Sequence, residues 1–236
     1  MSTTGLKQYA GDFASLFFPK LCVACNGHLI RGEDAICTAC LLECPRTFDE
    51  QDVVDNPAAR VFWGRIKLEA GVACFVFSKG GKVQELIHHL KYNGRTDAGI
   101  AIGKSFANDL KHLTPFNSVD AVVPVPLHRD KFLKRGYNQA ASFGQGIASV
   151  LNVPLFENGM LRLSANETQT KKNREERWEN VEDIFAVNKK TNLAGKHILL
   201  VDDVITTGAT IEACAIPLLE LENTRVSVIA LASARD

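Results

Sequence analysis

The sequence predicts an α/β protein in which a mainly parallel sheet carries helices on both faces, with a small cysteine-rich ribbon ahead of it. Three observations predict this. Short apolar runs alternate with helical periodicities from Ala73 to Leu231, and five of the seven cysteines fall between Cys22 and Cys44. A polar stretch, TFDEQDVVDNPAAR from Thr47 to Arg60, separates the two regions. The expected division is therefore residues 1–60, a helix with ribbon and linker, and residues 61–236, the α/β domain.

A chain of 236 residues can bury a real core, and 46% hydrophobic with 23% charged residues is ordinary for a soluble globular protein. The 27 basic residues balance 27 acidic ones, so any nucleic-acid contact needs a local patch rather than a global field. The N-terminus carries no basic cluster with a cleavage site, and nowhere do ~18 apolar residues run together. The expectation is a cytoplasmic protein without a membrane span.

Taken in order, Leu6, Tyr9, Phe13, Leu16 and Phe17 lie close to helical spacing and Pro19 stops them, which predicts a short docking helix from Leu6 to Phe18. The cysteines follow. Their odd number, their clustering and the lack of an export signal argue for metal rather than disulfides. Cys22 with Cys25 and Cys37 with Cys40 form two Cys-x-x-Cys pairs separated by eleven residues. Four thiolates suit tetrahedral zinc, and a sphere closed by protein ligands makes it structural rather than catalytic. A redox dithiol pair is the alternative. Cys44 and His28 are candidate substitute ligands, while Cys74 and Cys214 are read as core.

In the second region Ala73 to Phe77 is a buried strand, and Val83, Leu86, Ile87 and Leu90 mark one face of a helix ending near Asn93-Gly94. A second helix runs from about Asp97 to Leu113. Then come a strand at Val119 to Val123, a helix at Gln139 to Leu151 and strands at Asp183 to Val187 and His197 to Val201. A helix at Ala209 to Leu221 and a strand at Val226 to Leu231 complete the series. Such alternation places ligand sites at the carboxyl ends of the strands.

The segment LLVDDVITTGAT, from Leu199 to Thr210, has what a sugar phosphate needs. Thr206, Thr207 and Gly208 make a tight turn, and Ala209 and Thr210 open a helix whose first amides and dipole favour an anion. Asp202 and Asp203, where the strand is expected to end, can accept hydrogen bonds from a vicinal diol. Their charge would also stabilise a cation developing at the anomeric carbon, which makes them the catalytic candidates. Another segment, VPVPLHRDKFLKRGYNQA from Val123 to Ala140, follows a second strand end and packs Arg129, Lys131, Lys134 and Arg135 into a few residues. We read it as a loop, stiffened by Pro124 and Pro126 and turned back at Gly136, that suits pyrophosphate; a solvated charged turn is the plain alternative.

The acidic pair joined to TTGAT resembles the phosphoribosyl pyrophosphate motif of type I phosphoribosyltransferases. With IHHLKYNGR at Ile87 to Arg95, QTKKNREERWENVEDIF at Gln169 to Phe185 and the cysteine cluster, nearly the whole chain resembles the ComF competence family. The resemblance implies a type I phosphoribosyltransferase-like sheet and a pyrophosphate loop that includes Val125, Pro126, Arg129, Lys131 and Arg135. It also implies a mobile loop over about Ser164 to Val181, with Gln169 and Arg177 as contacts. A salt-bridged solvent face is the other reading of that stretch. Magnesium would arrive with the ligand, since it keeps oxygen ligands and waters. One position departs: purine-salvage members commonly carry an aspartate general base where this chain has Thr206.

Three functions stay open at this point. One is a ComF-like protein of DNA uptake and natural transformation that binds phosphoribosyl pyrophosphate, with single-stranded DNA or competence proteins as partners and an unknown acceptor for transfer. Another is a transferase of nucleotide metabolism, and the third a sensor that holds the ligand without turnover. Arg31 is the sole Lys or Arg between Cys22 and Cys44, so the ribbon lacks interleaved basic and aromatic side chains.

Overall fold

The computed structural model describes residues 19–47, 52–163 and 185–234. The expected N-terminal helix and the mobile stretch with Gln169 and Arg177 lie outside the described residues. Within them, four parallel strands form one sheet in the order β1-β6-β5-β2, namely β1 (Gly71–Phe77), β2 (Ala121–Pro124), β5 (His197–Ile205) and β6 (Arg225–Ala234). Side chains alternate across it. Leu199 and Val201 enter one core with Val72, Cys74 and Val122, whereas Ile198 and Leu200 enter a second with Ala73, Val123 and Val228.

Helices cover both faces, as the alternating pattern requires. The first core is closed by α3 (Lys82–Tyr92), α4 (Thr96–Leu110) and α6 (Gln139–Leu151), through Leu86, Leu90, Ile102, Phe106, Phe143 and Ile147. On the other face, α7 (Ala209–Leu219) buries Ile211, Ala213, Cys214, Ala215 and Leu218. Helices α4 and α6 meet backbone to backbone, because a Cβ on Gly146 would lie 2.2 Å from the Ile100 carbonyl oxygen and one on Gly103 2.3 Å from that of Phe143. Only glycine permits that approach.

Two strand expectations change. The strand expected at Asp183 to Val187 is β4 (Phe185–Val187), and it does not join the parallel sheet; it pairs antiparallel with β3 (Met160–Arg162), which the sequence did not signal. Three residues are too few for a period to show. Strand β5 runs past Val201 to Ile205, paired with β6 from His197↔Arg225 to Ile205↔Ser233. Asp202 and Asp203 therefore lie inside a strand rather than at its end.

The ribbon, which contains the short helix α1 (Thr38–Glu43), packs on this body. Cys22, Val23, Ala24, Ala35, Ile36, Cys40 and Cys44 belong to the same core as Phe75, Leu86 and Phe106. Residues 45–47 then run antiparallel to the outer edge of β1, where Val76 N–H donates to the Pro45 carbonyl at 2.7 Å and covers an otherwise open edge. The polar stretch expected as linker contains a short helix, α2 (Pro57–Arg60), capped by the Asn56 side chain and burying Ala58 and Ala59. Among the described residues, no helix is long and apolar enough to cross a membrane.

Candidate functional site

β2 and β5 are parallel neighbours, and their pairing stops at Pro124↔Val201. From Asp202 onward β5 stays paired with β6 and no longer with β2. Successive side chains point to opposite faces, yet both carboxylates reach a cavity of about 160 Å³ at this step in the sheet. The cavity is lined by Lys91 of α3, Val125 to Leu127 after β2, Lys131 and Arg135, Asn138 and Gln139, Arg162 of β3, Asp202 to Val204, and Thr210. Four cationic side chains thus face two acidic ones, a balance that suits a polyanion carrying polar hydroxyls.

The acids differ in their surroundings. Asp203 Oδ2 accepts from Gln139 Nε2 at 2.7 Å and pairs with Lys91 Nζ at 2.8 Å. Gln139 is buried and in turn accepts from Arg135 Nη1 at 2.9 Å, so Arg135, Gln139, Asp203 and Lys91 form one chain of contacts. Asp202 Oδ1 accepts the Asp203 N–H at 2.8 Å. Burial, with the neighbouring charge of Asp203, pushes the Asp202 carboxyl up to about 8 against the opposing pull of the Asp203 amide, Lys91 and Lys131.

A second, smaller recess of about 30 Å³ adjoins the first and is lined by Asp202, Val204 and Thr206 to Ile211. Gly208 takes the left-handed backbone (φ 76°) and as N-cap has no side chain to cap α7, whose Ala209 N–H donates at 3.5 Å to Thr207 Oγ1. Any Cβ there would also strike Val61 and Phe62, at 2.7 and 2.8 Å. Arg65 braces the turn by donating to the Thr207 carbonyl at 2.7 Å and pairing with Glu212.

In the ribbon, the sulfurs of Cys22, Cys25, Cys37 and Cys40 all lie within 4.8 Å of one another. Sulfurs bound to one zinc at ~2.3 Å would stand ~3.8 Å apart, and Cys25 and Cys37 are separated by 3.8 Å. Backbone amides already point at the sulfurs: Ala24 and Cys37 donate to Cys22 at 3.4 and 3.3 Å, Gly27 to Cys25 at 3.4 Å and Cys40 to Cys37 at 3.4 Å. Burial opposes ionisation of Cys22, but the amides of Cys37, Ala24 and Cys25 outweigh it and draw the thiol down to about 7. Such donors support thiolate ligands, so the cluster is compatible with a structural zinc. His28 and Cys44 stand outside this foursome.

The geometry agrees with what the chain is similar to. The family of the Phosphoribosyl transferase domain matches residues 138–236, which include β5, the Gly208 turn and α7. DNA utilization protein YhgH of Escherichia coli K12 is 26% identical over 215 residues, covering 85% of this chain and 91% of that protein. Competence protein F of Haemophilus influenzae is 32% identical over 127 residues, 53% of this chain and 56% of its own. Competence protein ComFC of Bacillus subtilis is 31% identical over 145 residues, 61% of this chain and 57% of its own. Together these relatives and the matched domain support a ComF family with a phosphoribosyltransferase domain. An adenine phosphoribosyltransferase from Leishmania tarentolae aligns with a TM-score of 0.36 and 14% identity over 64% of this chain and 74% of that one.

In this chain the expected site residues fall mostly together. Asp202, Asp203 and Thr210 line the larger cavity with Val125, Pro126, Lys131 and Arg135, and Thr206, Thr207, Gly208 and Ala209 line the recess. Arg129 does not line either one and is exposed. The basic segment is not a plain loop: Arg129–Arg135 is a helix, α5, capped by His128 and ended by Gly136 in the left-handed region. Asp130 in its first turn and Gly136 after it were the available signals. Lys91, Gln139, Arg162 and Arg65 were not singled out from sequence. Lys91 lies within IHHLKYNGR, but Arg65 and Thr207 are 142 residues apart and nothing local couples them.

Proposed function

We propose that this protein binds phosphoribosyl pyrophosphate, with the 5-phosphate on the Gly208 turn, the ribose hydroxyls on Asp202 and Asp203, and the pyrophosphate facing Lys131 and Arg135. The observation that carries the reading is the step in the sheet, which brings an acidic pair between the N-terminus of α7 and a cluster of cations. A diol both donates and accepts; carboxylate oxygens accept from it, and the Asp202 carboxyl, raised by burial and the neighbouring charge, favours keeping a proton that it can donate. Magnesium, carried in by the pyrophosphate, would neutralise charge on a leaving group. Asp203 would hold negative charge near the anomeric carbon if that bond to pyrophosphate breaks. A transferase reaction with an unidentified acceptor completes the proposal, within a domain of residues 61–236.

The ribbon of residues 1–60 is proposed to hold zinc through Cys22, Cys25, Cys37 and Cys40, where the ion would fix the two knuckles against α3 and α4. The relatives' names speak of DNA utilization and competence, and the proposal places this protein in the cytoplasm in a DNA-handling task such as uptake in transformation, with single-stranded DNA or competence proteins as partners. The surface that fits single strands best is α5 rather than the ribbon. Exposed Phe132 and Leu133 stand among Arg129, Lys131 and Lys134, and Arg135 stacks over exposed Tyr92 at 5.3 Å.

Calorimetric titration of phosphoribosyl pyrophosphate with Mg²⁺ tests the central claim. Saturable binding is expected in the wild type and its loss in Asp202→Ala/Asp203→Ala. Absence of heat in a folded wild-type sample defeats the reading. Release of pyrophosphate on adding candidate acceptors then separates a transferase from a sensor.

A further inference from the structure

We propose that Lys91 is a positioning residue that makes the site select a pyrophosphorylated pentose over a simple pentose phosphate. Its ammonium, spent on Asp203 in this arrangement, passes to the incoming pyrophosphate and hands the carboxylate to the sugar hydroxyls. The inference rests on the reading of the cavity as a phosphoribosyl pyrophosphate site and adds to it a residue and a basis for selectivity.

The contacts define the role. Lys91 Nζ lies 2.8 Å from Asp203 Oδ2, and the same oxygen accepts from Gln139, so one carboxylate oxygen of the sugar-holding pair is already committed. The other cations of the cavity are placed differently. Arg135 is held by Gln139 and by the Tyr92 ring, Arg162 lies over the Phe185 ring at 5.1 Å, and Lys131 is exposed on α5. Lys91 is the described cation that both lines the cavity and pairs with an acid of the proposed ribose contact.

The pair is held between α3 and β5 with side-chain exposures of 23% for Lys91 and 16% for Asp203, so water screens it weakly. A pyrophosphate in the same cavity offers several negative oxygens where Asp203 offers one charge. The flexible four-carbon stem lets the ammonium turn toward them while its Cα stays in the last turn of α3. Gln139 remains on Asp203 and keeps the carboxylate oriented. A ligand lacking the pyrophosphate must instead compete with Lys91 for Asp203, with nothing to draw the ammonium away. The two parts of the full ligand thus help each other through one side chain.

The test compares phosphoribosyl pyrophosphate with Mg²⁺ and ribose 5-phosphate as calorimetric titrants on full-length wild type, Lys91→Met and Lys91→Arg. Loss of one charge-assisted contact predicts that Lys91→Met binds the pyrophosphorylated ligand about ten- to a hundredfold more weakly. Ribose 5-phosphate is expected to bind within threefold of wild type or tighter. Lys91→Arg keeps a cation and is expected to stay within a few-fold for both. Equal weakening of both ligands in Lys91→Met would reduce Lys91 to a brace for the acidic pair and overturn the proposal, as would unchanged binding of the pyrophosphorylated ligand. A loss in Lys91→Arg as deep as in Lys91→Met would overturn the charge-transfer account. A folded wild type that binds neither titrant defeats the reading of the cavity itself, whereas failure confined to the variants defeats only the role given to Lys91.

Discussion

At the scale of single residues, the site is governed by unequal treatment of two identical side chains. Asp203 is given Lys91 and Gln139, whereas Asp202 has one backbone amide and a half-buried position beside a like charge, and desolvation with that charge raises its carboxyl to about 8. A carboxyl raised in the folded state is neutral below its unfolded value near 4, and its ionisation costs stability as pH climbs from there to about 8. Each pKa unit corresponds to about 1.4 kcal/mol. Asp202→Asn keeps an acceptor for the Asp203 amide and removes that cost. Its melting temperature should therefore gain on wild type progressively from pH 5 to pH 8 and by no more above that, read by scanning calorimetry across the range. A constant offset at every pH would show that Asp202 ionises freely. Arg65 acts on the other half of the site through the Thr207 carbonyl. Arg65→Met should weaken ribose 5-phosphate about tenfold while shifting the melting temperature by only a few degrees, since the side chain is exposed.

At the scale of elements, how legible each one was depended on its length and on how local its signals were. The helix at Gln139 to Leu151 was read with its observed ends because Asn138 caps it and Leu151 precedes a left-handed Asn152. The Asp-Asp and Thr-Thr-Gly segments were legible because a strand, a turn and a helix start follow one another within a dozen residues. Strand β3 was not, since three residues carry no period and its antiparallel partner lies beyond residues 164–184. The α5 helix was hidden by its composition: with no buried residue it has no apolar stripe to reveal its turn. Nor does a single glycine announce the helix it will touch. Gly146 allows α6 to press against Ile100 of α4, and a Cβ there would sit 2.2 Å from a carbonyl oxygen that is fixed in a helix. Gly146→Ala should cost roughly 1–3 kcal/mol, which is a drop of ~2–10 °C in melting temperature, despite the higher helix propensity of alanine. A rise in stability would mean that the two helices can separate at little expense.

At the scale of the whole molecule, the ribbon and the α/β body share a core although the sequence separates them by a polar stretch. Cys22, Val23, Ala24, Ala35, Ile36, Cys40 and Cys44 pack in one cluster with Val72, Phe75, Leu86 and Phe106, and residues 45–47 continue the sheet edge along β1. Composition could suggest a boundary but not that the surfaces beside it are apolar and face each other. Three polar ties add to this packing: Arg46 with Asp109 at 2.9 Å, Lys82 with Glu43, and Arg95 with the Leu21 carbonyl at 3.3 Å. A metal in the ribbon would then stabilise more than the ribbon. If it is lost, four sulfurs held within 4.8 Å must find other partners, and the apolar residues between them loosen from α3 and α4. One zinc per chain is expected by elemental analysis, and Cys25→Ser should lower that content with little direct loss of packing, because Cys25 is the exposed member of the four. Chelation should move a single calorimetric transition of the entire chain downward by ~10 °C or more, with ribose 5-phosphate binding weakened in the same samples. Two separate transitions, the upper one indifferent to chelator, would mean that the shared core does not couple the ribbon to the sheet.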